Sequence, residues 1–392
     1  MTPINTREHK VVSKPVEQAF EWLLNSGIQI RTTNPSTNGG VASWFDLDRA
    51  SYPFIYAEIT GYAVNVFLFQ NKITNNPTYL SSAVLAGDWL LKNRCSKTGL
   101  VQTRYWLDKT KAPYYDQCFF TFDQWVIVYG LACLASASGE QRFQTGAVSI
   151  ANFLIDQTIK KDGFFYPLYD LTQQKSVEFG DKWSRQPGSF HAKALMAFAK
   201  LTSLTGEHRY SECAKRLLEK TLSVQKPDGR FVTQDNEGST HLHPFLYTLE
   251  GLASYALSEK KKEVLAAVEQ GVKWILDRQN DDGSIYCFYK DSQFQPFIRA
   301  DVLSQTLRIA SILMQQGLLS GYSQSLSKLR LKLETYQVTN GLQVGGFMYG
   351  QEENGSAHSH VNAWVTMFAS QALWIHDALR GGHRPYDMES FV

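Results

Sequence analysis

The chain has 392 residues, 43% of them hydrophobic and 13% aromatic, which is ample material for a large packed core. Its 39 basic and 37 acidic residues leave a formal charge of +2, with no basic stripe interleaved with aromatics, which argues against nucleic acid as a partner. No apolar run reaches the roughly 18 residues that a membrane span needs. No secretory signal pattern opens the sequence, and its five cysteines are scattered without a C-x-x-C spacing, so the expected location is the cytoplasm.

In chain order, the first predicted element is an amphipathic helix ending in AFEWLLNSG, with the glycine turn NGGVASWF behind it. YAEITGYAVNVFLF follows, apolar on nearly every face, which marks a helix with protein on both sides. Tyr56 and Glu58 stand at its start. An ionised carboxylate is costly there unless it is paired, with Arg49 or a neighbour, or functional; desolvation would raise its pKa toward general-acid duty. The couplet returns as AGDWLLKNRCSKTGLVQTRYW and, past Tyr115, FDQWVIVYGLACLA. Asp123 and Gln124 open this helix, and Asp123 stands where an N-cap aspartate is expected, so capping and chemistry are both readings.

IANFLIDQTIKKDGFFYPLY precedes a long loop, GDKWSRQPGSFH, that turns at Pro187 and Gly188 and brings Trp183, Arg185 and His191 to the head of SFHAKALMAFAKLTSL. Tryptophan beside lysine and arginine in a loop reads as a binding surface, with a packed lid as the alternative. The fourth couplet, AKRLLEKTLSVQKPDGRFVTQ and HPFLYTLEGLASYAL, carries His241 and His243 at the junction and Tyr247 and Glu250 within the helix. GVKWILDRQNDDGSIYCFY and DVLSQTLRIASILM form the fifth, joined at Arg299 and Asp301, a pair that either cancels internally or holds a substrate carboxylate. LRLKLETYQVTNGLQVGGFMY and HVNAWVTMFASQALWIH form the sixth, with His358, His360, Asn362 and Trp364 around the second start. Residues 381–392 read as a surface tail.

Leu23, Leu90, Leu154, Leu218, Ile275 and Lys332 mark equivalent points 57 to 67 residues apart, a period too long for the common short solenoid units. Six polar-faced helices alternating with six apolar ones close most simply into a double ring with the apolar set inside. The predicted fold is therefore all-α, an (α/α)6 toroid. No linker divides the chain, so residues 1–392 are expected to form one domain with repeats over about 15–380. Inner helices pointing one way gather their N-termini at one rim, where backbone N–H groups favour oxygen ligands.

HLH and HSH supply four imidazoles, yet no cysteine pair or H-E-x-x-H accompanies them, and neither a metal nor another cofactor is expected. For the HSH pair, the plain reading is one histidine capping the helix and one bonded within the wall. The functional reading is an imidazole that touches sugar or moves a proton.

The Q-x-x-D-G-S/F turns, with FHAKALMAFAKLTSLTGEHRYSECAKRLLE, resemble the six-hairpin glycosidase superfamily, which includes unsaturated glucuronyl hydrolases, N-acylglucosamine 2-epimerases and the helical domain of glucuronyl C5-epimerases. NAWVTMFASQALW is similar to toroid proteins associated with bacterial surface polysaccharides. The glucuronyl hydrolases carry Arg-Gly-Asn-Gly-Trp where this chain has WSRQPGSFH, so their catalytic assignment does not pass to Asp181. The resemblance implies the toroid and a saccharide partner.

The expected function is a carbohydrate-active enzyme for a uronate-type oligosaccharide or bacterial surface glycan. In a glycoside hydrolase, Glu58 or Glu250 protonates the leaving oxygen while Asp123 or Asp301 activates water or stabilises charge. In a uronate C5-epimerase or a sugar 2-epimerase, His191, His243 or His360 with a tyrosine exchanges a carbon-bound proton, and Arg299 or Arg185 holds the carboxylate. Tyr56, Tyr115, Gln124, Trp183, Arg185, His241, His243, Tyr247, Arg299, His358, Asn362 and Trp364 are the expected sugar contacts. A terpene cyclase or prenyltransferase-like toroid and a non-catalytic glycan-binding protein remain as alternatives, and the oligomeric state is open.

Overall fold

The computed structural model describes residues 12–107, 118–178, 180, 182–233 and 238–382. Among these residues six outer helices alternate with six inner ones. The outer set is α1 (Lys14–Asn25), α3 (Pro77–Lys92), α5 (Gln141–Thr158), α7 (His208–Ser223), α9 (Lys262–Leu276) and α11 (Ser323–Glu334). The inner set is α2 (Ala57–Thr74), α4 (Thr121–Ser138), α6 (Ala194–Thr205), α8 (Leu242–Glu259), α10 (Ala300–Gln315) and α12 (Ala363–Arg380). Burial follows the sequence pattern: α4 is buried without interruption from Thr121 to Ala135, whereas α7 buries only the stripe Tyr210, Ala214, Leu217 and Thr221.

Inner helices end tightly. Asn75 and Gly139 terminate α2 and α4 in the left-handed conformation that frees the chain to reverse. Asn76 then caps α3 by accepting from the Thr78 N–H at 3.0 Å, with Pro77 in the first turn.

The recurring glycine turns have one packing cause. Each presses its backbone onto the next outer helix, so that a Cβ on Gly163, Gly229 or Gly283 would lie 3.2, 2.8 or 2.4 Å from a main-chain oxygen of α7, α9 or α11. The turn after α11 does the same to α1: Gly345, at φ +95°, would place a Cβ 2.1 Å from the Gln18 carbonyl oxygen. The ring is therefore closed. Around this junction Ser13 Oγ donates to Asp377 Oδ2 at 2.6 Å, Arg330 pairs with Asp377, and Trp22 Nε1 donates to Gln343 Oε1 at 2.7 Å.

One rim carries short strands that the sequence reading did not anticipate. They are β1 (Trp44–Asp46), β2 (Phe54–Tyr56), β3 (Arg104–Trp106), β4 (Cys118–Phe120), β5 (Leu168–Asp170), β6 (Lys175–Val177), β7 (Thr240–His241), β8 (Phe288–Lys290), β9 (Gln293–Gln295), β10 (Phe347–Met348) and β11 (His360–Asn362). They form four antiparallel sheets: β1–β11–β10, β2–β3, β4–β5–β6 and β7–β8–β9. The first of these joins the two ends of the chain, Trp44 lying opposite Asn362.

No helix among the described residues is long and apolar enough to cross a membrane. Residues 383–392 of the expected surface tail lie outside the described residues, as do Tyr115 and Asp181.

Candidate active site

The strands and first helical turns at this rim enclose a cleft of about 380 Å³. Trp44, Phe54, Tyr56, Phe122, Trp183, Tyr247, Tyr349 and Trp364 give it aromatic walls, and Glu58, Asp123, Arg104, Lys182, Arg185, His243 and Arg299 supply its charges and imidazole. Flat apolar faces beside convergent polar groups are the features of a small-ligand site.

Glu58 lies in the first turn of α2 and Asp123 in the first turn of α4. Two glycines let these helices touch: a Cβ on Gly130 would sit 2.7 Å from the Gly61 carbonyl oxygen. The two carboxyls, in the first turns of these helices, act on each other's ionisation. Burial raises Glu58 to about 7 against the opposing pull of the Tyr62 and Tyr56 hydroxyls and the Lys193 ammonium. Burial and the neighbouring Glu58 charge carry Asp123 well above the usual carboxylate range, against Arg104 and Thr103. The two groups act as one unit that retains a proton near neutral pH. Two sequence readings are corrected here. Arg49 pairs with Asp46 at 3.9 Å on the exposed rim and not with Glu58, and α4 is entered from Phe120, so Asp123 is not its N-cap.

Glu250 and Asp301 are the opposite kind of carboxylate. Glu250 is fully buried between Lys193 Nζ, at 2.7 Å, and Arg308; burial alone would raise its pKa, but the two cations override burial and hold it below the usual value. Asp301 is held low chiefly by Arg299, with His243 Nδ1 3.4 Å away and Trp364 Nε1 donating to it at 3.3 Å. Both are anions committed to neighbours. Glu250 and Asp301, expected as acid or base, and Arg299, expected to hold a substrate carboxylate, are thus each bonded to protein groups of opposite charge.

The histidines divide by position. His243 lines the cleft; burial pushes it down to about 4, and its Nδ1 lies 2.7 Å from Gln305 Oε1. His241 sits behind it, with Arg299 Nη1 donating to its Nε2 at 3.2 Å. His191 is packed between Phe190 and Phe165 and does not line the cleft; burial holds it down to about 3. His360 stacks on Trp44 at 4.5 Å, and His358 rests edge-on to Tyr349 at 4.8 Å, 3.5 Å from Glu352. This pair packs against two rings of the aromatic wall.

Three predicted contacts are bonded or packed within the wall. Gln124 exchanges both amide hydrogen bonds with the backbone of Val101, at 2.9 and 2.8 Å, clamping the turn before β3. Asn362 is the N-cap of α12, accepting from the Val365 N–H at 3.1 Å, which displaces the histidines from that role. Tyr247 does border the cleft but is itself only 2% exposed, its ring 4.4 Å from His243 and 4.6 Å from Phe122. Arg104, Lys193, Arg308, Trp44 and Tyr349 were not singled out from the sequence. A basic residue between aromatics in QTRYW, just past a glycine turn, was the available signal for Arg104. Among the described residues no group of three or more His, Cys, Asp or Glu side chains is placed to hold a metal ion.

No family model matches the sequence, and no curated protein matches it. Solved structures do share its fold, the six-hairpin (α/α)6 toroid. A sugar epimerase from a ruminal bacterium superposes with a TM-score of 0.74 at 13% identity, over 94% of this chain and 99% of that one. Cellobiose 2-epimerase from Bacillus thermoamylovorans gives 0.75 at 11% identity, over 93% and 99%. A family 88 glycosyl hydrolase from Bacteroides vulgatus gives 0.61 at 13% identity, over 93% and 99%.

Proposed function

We propose that this protein is a carbohydrate-active enzyme that hydrolyses a glycosidic bond in an acidic, uronate-type glycan, with the Glu58–Asp123 pair as its proton donor. The observation that carries the reading is a buried pair of carboxyls that act on each other, raised toward neutrality, facing a cleft walled by aromatic rings. Rings stack on sugar faces, and a carboxyl that keeps its proton near pH 7 can give it to a glycosidic oxygen. The toroid's use by sugar epimerases and a glycosyl hydrolase supports the substrate class.

The two carboxyls act on each other directly, whereas roughly 5 to 9.5 Å separates acid from nucleophile or base across a glycosidic bond. They therefore work as one proton reservoir on one side of the bond. The pair protonates the leaving oxygen, the C–O bond breaks, and the resulting oxocarbenium ion faces a pair now carrying an additional negative charge. Water adds to the anomeric carbon and its proton returns to the pair.

His243 supports a second reading, epimerisation. With Nδ1–H donated to Gln305 Oε1, its Nε2 is left as a proton acceptor on a ring that burial keeps neutral. Such an imidazole, working with the protonated pair as acid, can remove a carbon-bound proton and have one returned on the other face.

Incubating the protein in D2O with oligosaccharides that contain uronate residues, followed by mass spectrometry, separates the readings. Hydrolysis yields new reducing ends and no deuterium on carbon in unreleased sugar, whereas epimerisation yields deuterium without cleavage. E58Q and D123N should each lower the hydrolytic rate by about 100-fold or more. Full activity in both variants would remove the pair from the chemistry.

A further inference from the structure

Arg104 projects from β3 in register with Tyr56 of β2, and its guanidinium lies 5.3 Å from the Phe54 ring centroid and 5.9 Å from that of Tyr56, at the edge of the cleft. Three other buried cations at this end of the ring meet a carboxylate: Arg299 meets Asp301, while Lys193 and Arg308 share Glu250. Arg104 has no such partner among the described residues, and its Nε is buried without a hydrogen bond. A guanidinium lying beside two rings at the cleft edge, with no carboxylate partner among the described residues, can offer its two Nη–H groups as parallel donors at the spacing of carboxylate oxygens. A lone hydroxyl answers only one of them. Lys182 and Arg185 add positive charge to the border, while the acids opposite, Glu58 and Asp123, retain a shared proton.

We infer that Arg104 is the specificity-determining residue of the cleft: it binds the carboxylate of a uronate-type sugar and sets the preference for acidic over neutral glycans. This rests on the sugar reading above and moves the carboxylate site from Arg299, which Asp301 occupies at the head of α10, to Arg104 in the α3–α4 repeat on the other side of the ring. It also ties recognition to chemistry. Arg104 is the foremost group drawing down the Asp123 carboxyl, so a substrate carboxylate that neutralises it leaves the proton more firmly on the pair when the substrate is in place.

The test uses matched sugars that differ only by the acid group, glucose with glucuronate and cellobiose with cellobiouronic acid, titrated into wild type, R104Q and R104K by tryptophan fluorescence and ligand-detected NMR. Wild type should bind the acidic member of a pair about 10-fold or more tightly than the neutral one. R104Q should lose about 10- to 100-fold for the acidic member while changing less than about 2-fold for the neutral one, and R104K, which keeps the charge but not the fork, should fall between. Circular dichroism checks that the variants fold, and R104K carries the test if R104Q does not. Equal binding of both members by wild type, or equal loss for both in the folded variants, overturns the role of Arg104 and leaves the sugar reading standing. Wild type binding no sugar of either pair overturns the sugar reading together with this inference.

Discussion

Two carboxyls pressed together in a low-dielectric wall cannot both ionise cheaply, and the cost falls on the folded state alone. Glu58 is raised from 4.5 to about 7, so between those values the folded chain holds a proton that the unfolded chain has released. Unfolding free energy then falls as pH rises through this window: the stabilisation is fully present below about 4.5 and lost above about 7. For a shift of this size the loss is about 3 kcal/mol. E58Q removes it. Calorimetry should show E58Q melting above wild type at pH 8, with the difference shrinking as pH is lowered toward 4.5; a difference that does not change with pH would show that Glu58 is not strained in the fold. Glu250 has the opposite sign, held low by Arg308 and Lys193. In the sequence the two looked alike, each an acid within an apolar helix. What separates them is a pair of cations 57 and 58 positions away along the chain, one repeat to either side, and no local pattern encodes that.

Glu58 and Asp123 sit in the first turns of α2 and α4, two helices that touch at Gly61 and Gly130. Alternating apolar and half-polar helices, and so the ring itself, were legible in the sequence, because burial on every face leaves a continuous record over each inner helix. The rim was legible only in part. Its strands are two or three residues long, too short to display an alternating pattern, and their register places Arg104 opposite Tyr56 and Asp46 opposite His360. That is why Arg104 escaped notice while Glu58 and Asp123, anchored to helix starts, did not. The glycine contact can be tested directly. A Cβ at position 130 would lie 2.7 Å from the Gly61 carbonyl oxygen, so G130A must push α2 and α4 apart. Overpacking of this kind costs about 1–3 kcal/mol. Because α2 and α4 carry Glu58 and Asp123, the acid pair should separate as well: urea denaturation should show the stability loss, and turnover should fall by about 10-fold or more with its acid-pair pH dependence moved toward lower values. Unchanged turnover in a destabilised but folded G130A would mean the contact matters to packing only.

A closed ring behaves differently from a stack in which each unit touches only its neighbours. In an open repeat array stability is close to a sum over units and adjacent interfaces, so damage at one end stays there. Here the first outer helix is also the last unit's neighbour: α1 packs on α12, the Gly345 turn presses on Gln18, and β1 pairs with β11. Trp22 sits in that junction, 3% exposed, its Nε1 donating to Gln343 and its indole filling the space left by the missing side chain of Gly346. Removing it in W22A should cost about 3–5 kcal/mol, the usual range for a large buried aromatic. Closure adds a further consequence, which is that the loss should spread around the ring. Far-UV circular dichroism, reporting all the helices, and a fluorescence probe near Trp125, in the α4 repeat, should shift together to one lower urea midpoint. If the probe near Trp125 and most of the helical signal instead unfold at the wild-type midpoint while only a minor fraction melts early, the α1–α12 junction does not hold the ring together, and the cleft it shapes would not depend on closure.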